Sequence, residues 1–132
     1  MIVDASAMVA LIRHEAGYER IRNAIADTIE PVRIAGPGYV EAAIVIDAKR
    51  DPKASRTLDS LITDFEIEIV PFTADHARIA REAYRDYGKG SGHPAKLNFG
   101  DCMAYALARC VREPLLFVGN DFSHTDIEPA IT

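Results

Sequence analysis

The chain predicts a three-layer α/β domain, with a central, mostly parallel sheet flanked by helices. Two observations carry this prediction. Four short apolar segments rich in β-branched residues read as strands, at residues 2–4, 32–35, 67–70 and 115–118. Between them the hydrophobic pattern changes to the period of a helix. Strands separated by helices pair in parallel through right-handed crossovers, which puts helices on both faces of the sheet.

The elements follow in order. Residues 2–4 open the sheet, and helical spacing then covers 7–12 and 18–29, broken at 14–17. Strand 32–35 leads through a Pro-Gly break into helices over 39–49 and 53–64, separated at Asp51-Pro52. Pro52 suits the first turn of its helix, where a missing N–H leaves no bond unmade. After strand 67–70, Thr73 is the expected N-cap of a helix over 74–87. Residues 88–94, Gly-Lys-Gly-Ser-Gly-His-Pro, form the one flexible-looking stretch, read as either a substrate-facing loop or an ordinary solvent loop. The last long helix covers 99–112, with Phe99, Met103, Ala106, Leu107 and Cys110 on one face. Pro114 marks its exit into strand 115–118.

Bulk properties narrow the class. A chain of 132 residues is one domain, spanning 1–132, able to remove roughly two-thirds of its unfolded surface from water. Hydrophobic residues at 48% and charged residues at 27% describe a globular protein, not a disordered tail. No apolar run approaches the ~20 residues of a membrane span, and the start lacks the basic residues of a signal peptide, so the expected location is cytoplasmic. Cys102 and Cys110 lie on one helix with Cα atoms about 12 Å apart, too far for a disulfide. They are expected to be free buried thiols, which fits a reducing compartment. Twenty acids against fifteen bases argue against a broad basic surface for gripping nucleic acid. They do not exclude a nuclease whose acids hold cations.

Four acids stand where chemistry is expected. Asp4 ends the first strand, with Ser6 placed to cap the next helix or to orient the carboxylate. Asp121 follows the last strand across Gly119-Asn120. In a parallel sheet both emerge at the strands' carboxyl ends, where open α/β folds keep their ligand sites. Asn98 and Asp101 occupy N-cap and N3 positions of the last helix, a complete structural explanation for either residue alone. Gly100 beside them permits close approach of another group. Glu41 sits in a helix that is otherwise apolar, so it needs either a cation or a place on an exposed rim. Asp121 has its own local alternative as a turn residue, and Asp126 competes with it for the fourth position. Taken together, such acids repel one another unless a cation joins them, and an all-oxygen set suits Mg²⁺ or Mn²⁺.

The runs Ile2-Val3-Asp4-Ala5-Ser6-Ala7, residues 97–108 (Leu-Asn-Phe-Gly-Asp-Cys-Met-Ala-Tyr-Ala-Leu-Ala) and residues 115–122 (Leu-Leu-Phe-Val-Gly-Asn-Asp-Phe), with Glu41 between the first two, resemble the ordered motifs of PIN-domain ribonucleases. More narrowly, they resemble the VapC toxins of VapBC toxin–antitoxin pairs. The resemblance runs from residue 1 to about Asp126, and 97–108 is its most specific part.

The resemblance implies a PIN-like fold and a metal-dependent endoribonuclease. Its acidic quartet would be Asp4, Glu41, Asp101 and Asp121, using one or two Mg²⁺ or Mn²⁺ ions, supported by Ser6 and Asn98. Asn120 departs from the acid or threonine often found beside the fourth acid. The resemblance also implies a homodimer and a VapB-like antitoxin, with DNA reached only indirectly through that partner. RNA would enter unpaired, and Arg13, His14, Lys89, His93 and Lys96 are candidate backbone contacts because they flank the acids in sequence. Two other readings compete. A haloacid-dehalogenase-like phosphatase needs an acid two residues after Asp4, where Ser6 stands. A non-catalytic Mg²⁺-binding module of receiver type needs an acid directly after a central strand, whereas 67–70 is followed by Pro71-Phe72-Thr73.

Overall fold

Alternation along very short strands gives the sheet two buried faces. In the computed structural model, which describes residues 1–131, β1 (Ile2–Val3), β2 (Arg33–Ala35), β3 (Glu68–Val70) and β4 (Leu115–Leu116) form one parallel sheet in the order β3-β2-β1-β4. Six helices connect and cover it: α1 (Ala5–Arg13), α2 (Tyr18–Asp27), α3 (Gly36–Asp47), α4 (Pro52–Asp64), α5 (Ala74–Tyr87) and α6 (Phe99–Val111). A 3₁₀ turn, Asp121–His124, follows β4. The three-layer α/β expectation holds, with every strand pair parallel.

Ile2 pairs with Leu115, and Val3 pairs with Leu116. The first pair joins the core beneath α5 and α6; the second joins the core formed by α1, α2, α3 and α4. All four side chains are essentially inaccessible, and burial of each such side chain contributes about 1.5–3 kcal/mol. Residues 102–108 of α6 are buried without interruption, because the helix lies between the sheet and α5. α3 packs on α1, α4 and α6, so it bridges the two layers.

Several boundaries differ from the sequence-based expectation, each for a local reason. α1 begins at Ala5 rather than residue 7 because Asp4, not Ser6, is the N-cap. The Gly36-Pro37-Gly38 run, expected as a break, is the first turn of α3, where Pro37 needs no N–H partner. α2 ends at Asp27; Thr28 turns to extended backbone and leaves Ile29 96% exposed, so its apolar side chain was no sign of a continuing helix. α3 stops at Asp47, two residues early. β1 and β4 lose their predicted last residues to helix capping and to the loop before Asp121. Thr73 does cap α5, in a reciprocal pair: its Oγ1 accepts from His76 N at 3.2 Å while His76 Nδ1 accepts from Thr73 N at 3.2 Å.

Two further expectations are corrected. Cys102 is buried but Cys110 is exposed, because the last turn of α6 extends past the covering layer, as Phe99 does at the other end with 76% exposure. Segment 88–97 is built rather than loose. Gly88 bridges Leu97, Ser91 Oγ donates to Gly88 O at 2.7 Å, and Ala95 and Leu97 are fully buried anchors. Among the described residues no helix is long and apolar enough to cross a membrane.

Leu107, fully buried in the middle of α6, tests this account of the core. Leu107→Ala is expected to destabilise the protein by about 2–5 kcal/mol in chemical denaturation, from lost burial plus a residual cavity.

Candidate active site

Strand order determines where a ligand can enter. β1 is followed on one side by β2 and β3, while β4 lies on its other side, so the order in which strands are added to the sheet reverses between β1 and β4, which remain parallel. Such a switch point opens a crevice at the carboxyl ends of the two strands. Asp4 leaves β1 at this point, and Asp121 follows β4 there.

A cleft of about 340 Å³ occupies the crevice, and Asp4, Glu41, Asp101 and Asp121 all line it, with Ser6 and Asn98 beside them. Four separate chain segments therefore deliver the four predicted acids to one place. Asp126 is elsewhere: it accepts from Tyr105 Oη at 2.7 Å and faces Arg109 at 3.7 Å. The cleft holds a fifth carboxylate, Glu15, that sequence reading passed over. Glu15 sits in the turn after α1, bonded through its N–H to Ala10 O at 2.9 Å, and no motif marks it. Its approach to the cleft comes from how that turn folds back.

Asp4 is the deepest of the set, only 6% exposed. Its Oδ2 accepts from Ser6 N at 3.0 Å and from Ser6 Oγ at 2.5 Å. Ser6 Oγ in turn accepts from Val118 N at 3.1 Å, so one hydroxyl ties the first acid to the segment that carries Asp121. Both sequence readings of Ser6 and Asp4 meet here: the acid caps the helix and the hydroxyl orients the acid. Burial raises the Asp4 pKa, the Ser6 bonds oppose that rise, and Asp121 adds to it.

Asp101 and Asn98 form a reciprocal cap. Asn98 Oδ1 accepts from Asp101 N at 2.8 Å, and Asp101 Oδ2 accepts from Asn98 N at 2.9 Å. The capping bond uses one carboxylate oxygen. Burial pushes Asp101 up to about 6, with Asp4 and Asp121 adding to the rise, against the Asn98 bond and the charge of Lys89. Glu41 takes the rim position: its residue is exposed, yet its carboxylate lies against Gly100. Partial burial raises its pKa first, then the charges of Asp4 and Asp101.

No Lys or Arg forms an ion pair with any of the four acids among the described residues. Nor do any three His, Cys, Asp or Glu side chains there close into a ligand cage. The donor set is nevertheless all oxygen and negatively charged, with no ion-pair partner, which fits a hard divalent cation in its chemistry. Asp121 is exposed, as is Glu41, so both carboxylates retain torsional freedom to turn inward.

The predicted phosphate contacts are not gathered in the cleft. Arg13 Nη2 donates to Val45 O at 3.4 Å, linking α1 to α3. His14 stacks on Tyr18 with ring centroids 4.4 Å apart. His93 Nδ1 accepts from Ala95 N at 3.1 Å while its ring meets the edge of Tyr87, so it shapes the 88–97 segment. Lys96 is an exposed residue with left-handed backbone at φ 49°. Lys89 is the member of this group whose charge reaches the acids, through Asp101.

Comparison with known proteins identifies the family. Residues 1–128 match the PIN domain family model. The chain is 48% identical to ribonuclease VapC42 of Mycobacterium tuberculosis over 132 residues, the full length of both. It is 50% identical to ribonuclease VapC28 of the same organism over 131 residues, 99% of this chain and 98% of that one. The crystal structure of M. tuberculosis VapC20, a sarcin–ricin-loop-cleaving toxin, superposes with a TM-score of 0.77 at 17% identity, covering 96% of this chain and 95% of that chain. With a family model matching residues 1–128 and full-length identity near one-half, the chain belongs to the PIN-domain family, alongside its VapC members.

Proposed function

We propose that this chain is the toxin of a VapBC-type pair, a cytoplasmic endoribonuclease that hydrolyses RNA at a divalent metal held by Asp4, Glu41, Asp101 and Asp121. The observation that carries the reading is the convergence of four unpaired acids at the β1–β4 switch point of a chain whose full-length relatives are named ribonucleases. Bound Mg²⁺ or Mn²⁺ would supply an activated water and stabilisation of the developing phosphate charge.

The residues divide the work. Asp4, fixed by Ser6, and Asp101, fixed by Asn98, are rigid and form the principal ligand pair. Glu41 and Asp121, on the rim, complete the shell directly or through water. Lys89 stands beside Asp101 and is the best placed of the basic candidates to meet a phosphate. RNA is taken unpaired, because its backbone must reach carboxylates set inside a cleft. The antitoxin partner fits the same electrostatics: a cationic side chain inserted among the acids would neutralise them and block the site. A homodimer is part of the same family reading.

Asp4→Asn and Asp101→Asn are expected to abolish Mg²⁺- or Mn²⁺-dependent cleavage of single-stranded RNA while keeping the wild-type circular dichroism spectrum. Retention of full cleavage by either purified variant would remove that residue from the site.

The raised acids also make metal-free stability depend on pH. The Asp101 pKa is about 6 in the folded protein and near 3.8 when unfolded, so the folded state holds the extra proton between those values. Its stabilising share is complete below the lower value and disappears as pH rises through about 6. Chelator-treated protein should therefore lose stability from about pH 4 to about pH 7. Asp101→Asn should recover about 1–2 kcal/mol at pH 8, discounted for partial exposure, and flatten the slope; an unchanged pH profile of thermal unfolding would refute this.

A further inference from the structure

We propose that Gly100 is a positioning residue for Glu41: its missing side chain is the space in which the Glu41 carboxylate lies beside Asp101. The inference rests on the metal-site reading for its functional consequence and on geometry alone for its structural one. A Cβ placed on Gly100 would stand 2.8 Å from Glu41 Cδ and 2.9 Å from Oε1, and closer still to Oε2. The three nearest atoms outside the helix's own backbone all belong to that one carboxylate.

The backbone gives no other reason for glycine here. Gly100 is the second residue of α6, and its φ is not among the positive values found at Gly17, Gly90, Gly92 and Gly119. Alanine is favoured over glycine inside a helix, so the local preference runs against the residue present. α3 contributes Glu41 from outside the sheet and contacts α6 where they cross, so the carboxylate reaches Asp101 over the first turn of α6. A methyl group at position 100 would turn the flexible end of Glu41 away, toward solvent. The Asn98–Asp101 cap does not involve Gly100: its two bonds run between those residues alone.

Four proteins test this: wild type, Gly100→Ala, Glu41→Ala and the double variant, each titrated with Mn²⁺ alone by calorimetry and melted without metal. Gly100→Ala is expected to weaken Mn²⁺ binding about tenfold in the wild-type background and to change nothing once Glu41 is absent. Equal weakening in both backgrounds, or none in wild type, overturns the proposal. If no variant and not even wild type binds Mn²⁺, the metal-site reading fails and the metal-free melts decide the positioning claim by themselves. Gly100→Ala should then raise the melting temperature in the Glu41→Ala protein more than in wild type, where the displaced carboxylate offsets the helix gain. The same rise in both backgrounds would show that Gly100 and Glu41 are independent.

Discussion

Placing a carboxylate at the end of the central strand, almost out of reach of water, is the constraint on which the rest of this molecule depends. A lone buried charge of this kind would neutralise itself by taking up a proton. Asp4 is instead received by a helix start and by Ser6, whose hydroxyl lies between it and the Val118 amide. The same three groups that make the burial tolerable also link β1 to the segment leading to Asp121. Structural and functional explanations of Asp4 are therefore one arrangement: the cap that begins α1 is also what points the acid into the cleft.

The other acids repeat this economy at lower depth. Asp101 caps α6 with one oxygen, and Glu41 reaches across from α3 over a glycine. Each local structure is satisfied, yet the assembly as a whole is not, since Asp4, Asp101 and Asp121 each raise the protonation tendency of another acid and only the charge of Lys89, acting on Asp101, opposes them. Natural sequences carry such local conflict where function requires it. The frustration is confined to one rim of the sheet. Both faces below it are closed by hydrophobic side chains, with no buried side-chain N or O atom lacking a hydrogen-bond partner among the described residues.

Much of this was legible in the residues. The strand–helix alternation, the Thr73 cap, the Asn98–Asp101 cap and the strand-end acids all follow from patterns spanning a few positions, and each recurs in the fold. What was hidden depended on contacts across the chain. Ile29 extended a helical pattern that the fold does not use, because periodicity cannot tell an apolar residue facing a core from one beyond the helix end. Gly36-Pro37-Gly38 looked like a break although Pro is accepted in a first helical turn. Glu15 carries no motif, and of the basic residues nearest the acids in sequence, His14 and His93 are engaged in stacking and a turn, Arg13 bonds to α3, and Lys89 is the one whose charge reaches the acids. Proximity along the chain was a poor guide to proximity in the cleft.

That last point bears on how an acidic protein with net charge −5 could handle a polyanion. The cleft offers phosphates five carboxylates, counting Glu15, and one neighbouring cation, Lys89. Coulomb repulsion at such distances outweighs what a few exposed lysines return, particularly where water is partly excluded. Under the proposed reading the four acids would hold a divalent cation, whose charge would offset part of theirs and so ease the approach of a phosphodiester before any bond is broken. A cationic side chain from a partner would offset part of the same charge without supplying the chemistry, and would occupy the space that a cation needs. Activity and inhibition are then two ways of satisfying one set of unpaired acids, and the exposed pair, Glu41 and Asp121, is where the choice between them is most easily made.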